Sequence, residues 1–392
     1  MTRENTIPRW FDGSDNMHRT ARAIAKYGPV AQAPLAQLEG LTSGTLSRIV
    51  GDLEELDVVV EGGEDGFGEG DGGERRGRPQ TLLQLNRQAA TAIGMKVTGD
   101  EIVATAIDFG GDAVTAAYRR QIVDRQPDAV VALIVGLVDD CERELALRSL
   151  PRPVGVGVAF GGHVVDGSVV DYAPFLHWND PVDVGAVVFE RTGLPCAAFN
   201  DVNSLAFMES WFGEGHGLGS LAVVTVGAGI GYSLTARGEL VDGSNASYGL
   251  AAHVPLDSRG PLCTAGHVGC SQCLTDESLA TQYSELRGTA ETFDDFVRDA
   301  RDNVPQATLL ANRICFRIGT LVAAIANLAM PEKVVLSGES AFVAKFDAES
   351  VREGIAQFRH TQAAPVDFAV VDHPASDWAR AAATRVIGEY LR

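Results

Sequence analysis

The segment from Glu61 to Glu74 holds six acids and seven glycines, and Arg75, Arg76 and Arg78 follow directly. So little apolar surface cannot offset the entropy of ordering, so the sequence predicts a loop there. That loop divides the chain. Ahead of it, apolar residues recur at helical spacing; beyond Ala92, short apolar runs closed by glycine or small residues alternate with helical segments. At 392 residues the chain is too long for one compact domain, and 45% hydrophobic with 21% charged residues suits a sizeable core.

In the first stretch Ala21, Ile24 and Ala25 share a helical face, and Gly28-Pro29 ends that helix. Ala33 to Leu38 reads as a second, short helix closed by Gly40. Thr42 or Ser43 caps a third, whose buried stripe is Leu46, Ile49, Val50, Leu53 and Leu56. Val58 to Val60 and Thr81 to Leu85 read as strands flanking the acidic loop. Three helices and a hairpin compose a winged helix-turn-helix over residues 1–88, with residues 61–80 as the wing loop.

The free faces of the third helix carry Ser43, Gly44, Thr45, Ser47 and Arg48. Short polar side chains and an arginine at a helix start suit the major groove of DNA. Between Arg19 and Val50, four bases (Arg19, Arg22, Lys26, Arg48) stand against one acid, Glu39, a local 4 − 1 = +3 in a chain of net charge −20. The overall acidity excludes a protein that coats nucleic acid with its whole surface, though not such a local module. Arg76-Gly77-Arg78-Pro79 adds an extended segment whose arginines suit an A·T-rich minor groove.

Residues 89–392 read as an α/β body. Ile102 to Ile107, Val154 to Ala159, Leu221 to Val226 and Lys333 to Leu336 are strand-like, with helices at Ala129 to Leu147 and Ser204 to Phe212. Two lobes are expected, about 89–200 with the C-terminal end and about 201–330. No apolar run approaches the ~18–20 residues of a membrane span. The first thirty residues lack the apolar core of a secretory signal, so a cytoplasmic location is expected. Six cysteines are too few for a disulfide scaffold. Three of them, Cys263, Cys270 and Cys273, fall within eleven positions and read as a metal site; Cys141, Cys196 and Cys315 read as buried core residues.

These residues resemble the ROK family (repressors, open reading frames and sugar kinases) in its repressor branch. The likeness starts with GPVAQAPLAQLEGLTSGTLSRIVGDLEEL and GRPQTLLQLN. It runs through GVGVAFGGHVVDG, YAPFLHWND, FNDVNSLAFMES and VGAGIGYSL to NLAMPEKVVLSGES, in that order, covering roughly Arg19 to Arg392. The resemblance implies a winged helix joined to a two-lobed, actin-like (ribonuclease H-like) ATPase-type body that takes a sugar.

The family's kinases open that body with D-x-G-G-T, whose amides and hydroxyl receive the ATP phosphates. Here Lys96 stands for the acid, Thr98 for a glycine and Asp100 for the threonine. Charge at Asp100 and Glu101 and bulk at Thr98 oppose phosphate, so the nucleotide site is expected to be lost and the chain not to be an enzyme. Gly227-Ala228-Gly229-Ile230-Gly231 resembles the second phosphate turn, and by itself reads as a hairpin turn. Asp201 matches the kinases' proton-accepting aspartate; with no phosphate donor it is left to accept hydrogen bonds from sugar hydroxyls. Asn200-Asp201 reads equally as a helix N-cap pair. The family's E-x-G-H is Leu250-Ala251-Ala252-His253, so an isobutyl group replaces a sugar-holding glutamate, and Gln272 stands where a second one is usual. The sugar contacts implied are Asn179, Asn200, Asp201, His253 and Gln272.

The family's zinc site runs H-x9-C-x-C-x4-C. His253, Cys263 and Cys270 match three positions, and the middle cysteine is Ala265. Cys273 is the expected fourth ligand and His267 the second candidate, for a structural zinc ion. The expectation is a sugar-responsive repressor without catalysis, binding operator DNA as a homodimer or dimer of dimers. Its rivals are an active sugar kinase carrying a regulatory head, favoured by Asp201 and the glycine turn, and a ligand-independent regulator, favoured by Leu250.

Overall fold

Caps set the first three helices. Ser14 caps α1 (Asp15–Tyr27), its hydroxyl accepting from Met17 N at 3.4 Å. After a two-residue strand β1 (Val30–Ala31), α2 (Gln32–Glu39) stops at Gly40, whose φ of 66° is left-handed. Thr42 then accepts from Thr45 N at 3.2 Å and starts α3 (Ser43–Glu55). Strands β2 (Val59–Glu61) and β3 (Leu82–Leu85) complete an antiparallel sheet in the order β1-β3-β2. Strand β1 carries too few residues to show a period. Leu46, Ile49, Val50 and Leu53 are buried as expected, but Leu56 is not part of the stripe: it falls past the end of α3 and is 43% exposed.

The structure, a computed structural model, describes residues 7–62, 81–241, 243 and 248–392. Arg76, Gly77 and Arg78 lie outside the described residues, as does most of the acidic loop. The chain divides into two compact units, Met1–Gly217 with Ala375–Arg392, and Leu218–Pro374.

The first unit continues with β4 (Thr91–Val97), β5 (Glu101–Asp108), β6 (Tyr118–Gln121), α4 (Pro127–Leu147) and β7 (Pro153–Phe160). A small antiparallel sheet of β8 (His163–Val165), β9 (Val169–Tyr172) and β10 (Val182–Asp183) follows, then α5 (Val184–Thr192), β11 (Cys196–Asn200) and α6 (Asp201–Phe212). The main sheet runs β11-β7-β4-β5-β6, parallel across β11, β7 and β4 and antiparallel beyond. Alternation along β4 sorts its two faces. Ile93, Met95 and Val97 pack into the core shared with α4 and α5, which leaves Gly94 and Lys96 on the other face.

The second unit holds β12 (Ser220–Val226), β13 (Ile230–Ala236), β14 (Glu239–Leu240), α7 (Asp276–Arg287), α8 (Phe293–Arg301), α9 (Pro305–Leu328), β15 (Lys333–Ser337), α10 (Ala348–Gln357) and β16 (Phe368–Val370). Its sheet order is β14-β13-β12-β15-β16, with a β12–β13 hairpin and parallel pairs beyond. Helix α9 has the length and hydropathy of a membrane span but is mostly buried in this unit's core.

The chain re-enters the first unit as α11 (Ala375–Tyr390). It lies so close on β4 that a side chain at Gly94 would collide with the Ala379 carbonyl. Its far end holds the root of the N-terminal segment. Trp10 N donates to Tyr390 O at 2.8 Å, the two rings stack at 5.5 Å, and His18 Nδ1 lies 3.3 Å from Leu391 O.

Candidate functional site

On α3, Ser43, Gly44, Ser47 and Arg48 are exposed while Leu46, Ile49 and Val50 turn inward. Thr45 is half-buried, and its hydroxyl lies 2.9 Å from Thr42 Oγ1. The local positive charge is smaller at the surface than the residue count suggests. Arg19 pairs with Glu39 at 2.9 Å, and Lys26 is buried with its ammonium 4.7 Å from the Tyr27 ring centroid.

Lys96 and Asp201 meet in the first unit. The Lys96 ammonium donates to Asp201 Oδ2 and stands 4.9 Å from the Trp378 ring centroid, at the start of α11. Their side chains are 10% and 11% exposed. Asn200 caps α6, accepting from Asn203 N at 3.0 Å, and its amide donates to Gly162 O at 2.9 Å. These bonds let Asn200 position the turn, and one N–H and one oxygen lone pair of its amide remain beyond them. Helix α6 also starts earlier than expected, with Asp201 in its first turn. Asn179 is exposed and follows Trp178, a core residue whose Nε1 donates to Arg125 O at 2.6 Å.

The turn after β4 engages its own backbone donors. Thr98 Oγ1 accepts the backbone N–H groups of Asp100 and Glu101 at 3.2 and 3.0 Å, so these donors are already used. The repulsion expected from Asp100 and Glu101 is weaker than the sequence suggests, because Arg125 and Arg119 pair with them at 2.9 and 2.6 Å. In the second unit Gly227–Gly229 is the tight turn of the β12–β13 hairpin, closed by Gly227 N to Gly229 O at 3.2 Å. Glu339 stands against Gly227. Burial pushes Asp276 above the ordinary carboxylate range, its bond from the Ser340 hydroxyl works the other way, and Glu339 adds to the rise. The Glu339 carboxylate opposes a polyphosphate at this turn.

The His–Cys loop gathers His253, Cys263, His267 and Cys270, one donor atom from each lying within 4.8 Å of the others. His253 Nδ1 lies 3.8 Å from Cys263 Sγ, 3.7 Å from Cys270 Sγ and 3.1 Å from His267 Nδ1; Cys263 Sγ to His267 Nδ1 is 3.7 Å. Zinc bonds of ~2.0–2.3 Å at tetrahedral angles put donors about 3.3–3.8 Å apart, so these residues fit the ion. The expected ligand Cys273 is corrected: the short turn Ser271–Leu274 sends it into the core beside Leu274, Leu279 and Ile314, where burial pushes its thiol up to about 11. Arg317 of α9 ties the loop down, donating to Asp257 Oδ2 at 2.9 and 3.2 Å and to Gln282 Oε1 at 2.8 Å. Leu250, in the place of the family's glutamate, is 66% exposed, and Gln272 is half-buried.

Two further residues neighbour Asp201: Phe175, in the stretch YAPFLHWND that carries the family likeness, and Lys96. Phe175 is 44% exposed, and a side chain at Gly161 would meet its ring at 3.0 Å and Asp201 Oδ2 at 3.2 Å. Lys96 was noted only as a lost acid. The alternation that puts it on the α11 face was available in the sequence; its partner was not.

Residues 92–382 match the ROK family. A xylose repressor of Caldicellulosiruptor bescii is 24% identical over 345 residues, covering 84% of this chain and 84% of that protein. A crystal structure of a ROK family transcriptional regulator, a homologue of the E. coli Mlc protein, aligns over 96% of both chains with TM-score 0.74 and 20% identity. A ROK hexokinase of Thermus thermophilus aligns over 75% of this chain and 97% of its own, with TM-score 0.65 and 22% identity. These likenesses establish a mixed α/β, actin-like body. The matched stretch takes in the Lys96 strand, the Asp201 helix start, the glycine hairpin and the His–Cys loop, and the chain belongs to the ROK family.

Proposed function

We propose that this protein is a sugar-responsive, DNA-binding transcriptional repressor whose body has left kinase chemistry. The observation that carries the reading is the Lys96 ammonium on Asp201 Oδ2, where a kinase's base would meet a sugar hydroxyl. The Thr98 bonds to the neighbouring amides and Glu339 at the glycine hairpin support it. The repressor names among its relatives point the same way.

The N-terminal 88 residues would serve as a winged helix-turn-helix, with Ser43, Gly44, Thr45, Ser47 and Arg48 of α3 turned to the major groove. Paired heads in a homodimer would read a palindromic operator. Asp201, Asn179, Asn200, His253 and Gln272 remain the residues proposed to contact the sugar. His253, Cys263, His267 and Cys270 would hold zinc, which supplies a structural cross-link between distant parts of one loop.

The test selects bound duplexes from a random pool with the purified chain, then titrates monosaccharides against the selected site by fluorescence anisotropy. A selected sequence released by one sugar is the expected result. ATP turnover with any sugar, lost in Asp201→Asn, would overturn the non-catalytic reading in favour of the kinase; binding to DNA that no sugar alters would favour the ligand-independent regulator.

A further inference from the structure

We infer that Lys96 reads the effector directly: with Asp201 it makes a charge-balanced donor–acceptor pair for neighbouring hydroxyls of an uncharged sugar, and the pair discriminates against sugar phosphates and sugar acids. This deepens the sugar-responsive reading and rests on it.

The pair is incompletely used by the protein. An ammonium has three N–H donors, and among the described residues Asp201 Oδ2 is the one atom to which Lys96 donates a hydrogen bond. Asp201 Oδ1 accepts Val202 N at 2.8 Å, and each carboxylate oxygen keeps acceptor capacity. One face of the ammonium lies toward the Trp378 ring, and the remaining donors and acceptors are available to a ligand. The side chains keep about a tenth of their surface open. A vicinal diol donates to the carboxylate and accepts from the ammonium at once.

Charge decides the ligand class. The two side chains cancel, so the subsite offers an incoming phosphate or carboxylate no net countercharge for its lost hydration. A neutral polyol loses far less on entry. The surroundings suit one: Gly161 adds no side chain between Asp201 Oδ2 and the Phe175 ring, and the half-exposed ring presents an apolar face beside the carboxylate. Asn200 fixes this opening through its bond to Gly162 O.

The experiment is isothermal titration of the full chain with glucose, xylose and N-acetylglucosamine against glucose 6-phosphate, gluconate and glucuronate. A neutral sugar should bind roughly tenfold or more tightly than its charged counterpart, a difference of about 1.4 kcal/mol per decade. Lys96→Met should weaken the neutral sugar by about tenfold or more. Asp201→Asn leaves the ammonium unpaired and should bring the charged analogue level with the neutral one or above it. Phe175→Ala, at an exposed position that does not threaten folding, should weaken the neutral sugar. Asp201→Asn and Phe175→Ala decide the matter if Lys96→Met does not fold. A charged sugar that binds the parent chain better than its neutral counterpart, or Lys96→Met binding unchanged, overturns the role of Lys96 and leaves the sugar response standing. If no sugar of either class binds, both fall together.

Discussion

The ammonium of Lys96 and the carboxylate of Asp201, 105 residues apart in the chain, hydrogen-bond on the α11 face of one sheet with both side chains about nine-tenths buried. One comes from the end of β4 and the other from the first turn of α6. Neither has a second ion-pair partner among the described residues.

Breaking such a pair strands a buried charge, which typically costs ~3–5 kcal/mol. Lys96→Met is therefore expected to lower stability by about that amount. The double variant Lys96→Met with Asp201→Asn should lose less than the sum of the two single changes, because neither then leaves an unpaired ion. Denaturant unfolding of the parent, the two single variants and the double variant checks this, and strict additivity would contradict it.

Metal content separates His267 from Cys273. His267→Ala removes one of four donors facing a common centre and should abolish stoichiometric zinc. Cys273→Ser should retain zinc, because Cys273 is not among the four gathered donors. Elemental analysis of the purified variants, read beside their unfolding midpoints, is the measurement. Zinc lost from Cys273→Ser and kept by His267→Ala would reverse the assignment.

Arg48 is exposed on the polar face of α3. If it meets a base edge, Arg48→Ala should cost ~1–3 kcal/mol on the selected operator and relax specificity at one position. A phosphate contact would instead weaken all duplexes alike and reduce the salt slope by about one. Anisotropy titrations at several salt concentrations distinguish the two, and an unchanged affinity would remove Arg48 from the interface.

The start of α8 gives a pH dependence. The Thr292 hydroxyl and backbone N–H, with Arg298 behind them, hold Asp295 down at about 2 against an ordinary 3.8. A folded-state value below the unfolded one means that this cap stabilises fully above the unfolded value. That contribution is lost as pH falls from near 4 toward 2. Asp295→Asn should flatten this part of the stability–pH curve, as followed by thermal unfolding in that range.

Much was legible locally. Helices α1 to α3 follow from an apolar period together with Ser14, Gly40 and Thr42, all signals within a few residues of the structure they specify. The glycine hairpin and the strands around it could be read in the same way. Strand β1 was not, because two residues have no period and exist as a strand only by pairing with Leu82 and Leu83. For the His–Cys loop, the close run of cysteines pointed to a metal site, and the likeness to the family's motif implied three of the residues that the structure gathers. Spacing could not choose between Cys273 and His267, since the choice depends on which way a single turn faces.

The sequence by itself determined helices α1 to α3, the polar face of α3 at Ser43, Gly44, Ser47 and Arg48, and the strand-like runs at β5, β7, β12 and β15. Each follows from chemistry between near neighbours in the chain. Only the tertiary structure decided that Lys96 meets Asp201, that Asn200 holds Gly162, and that His267 gathers with His253, Cys263 and Cys270 while Cys273 enters the core. Those outcomes turn on packing between segments far apart in sequence, where the burial of one side chain fixes what another can reach.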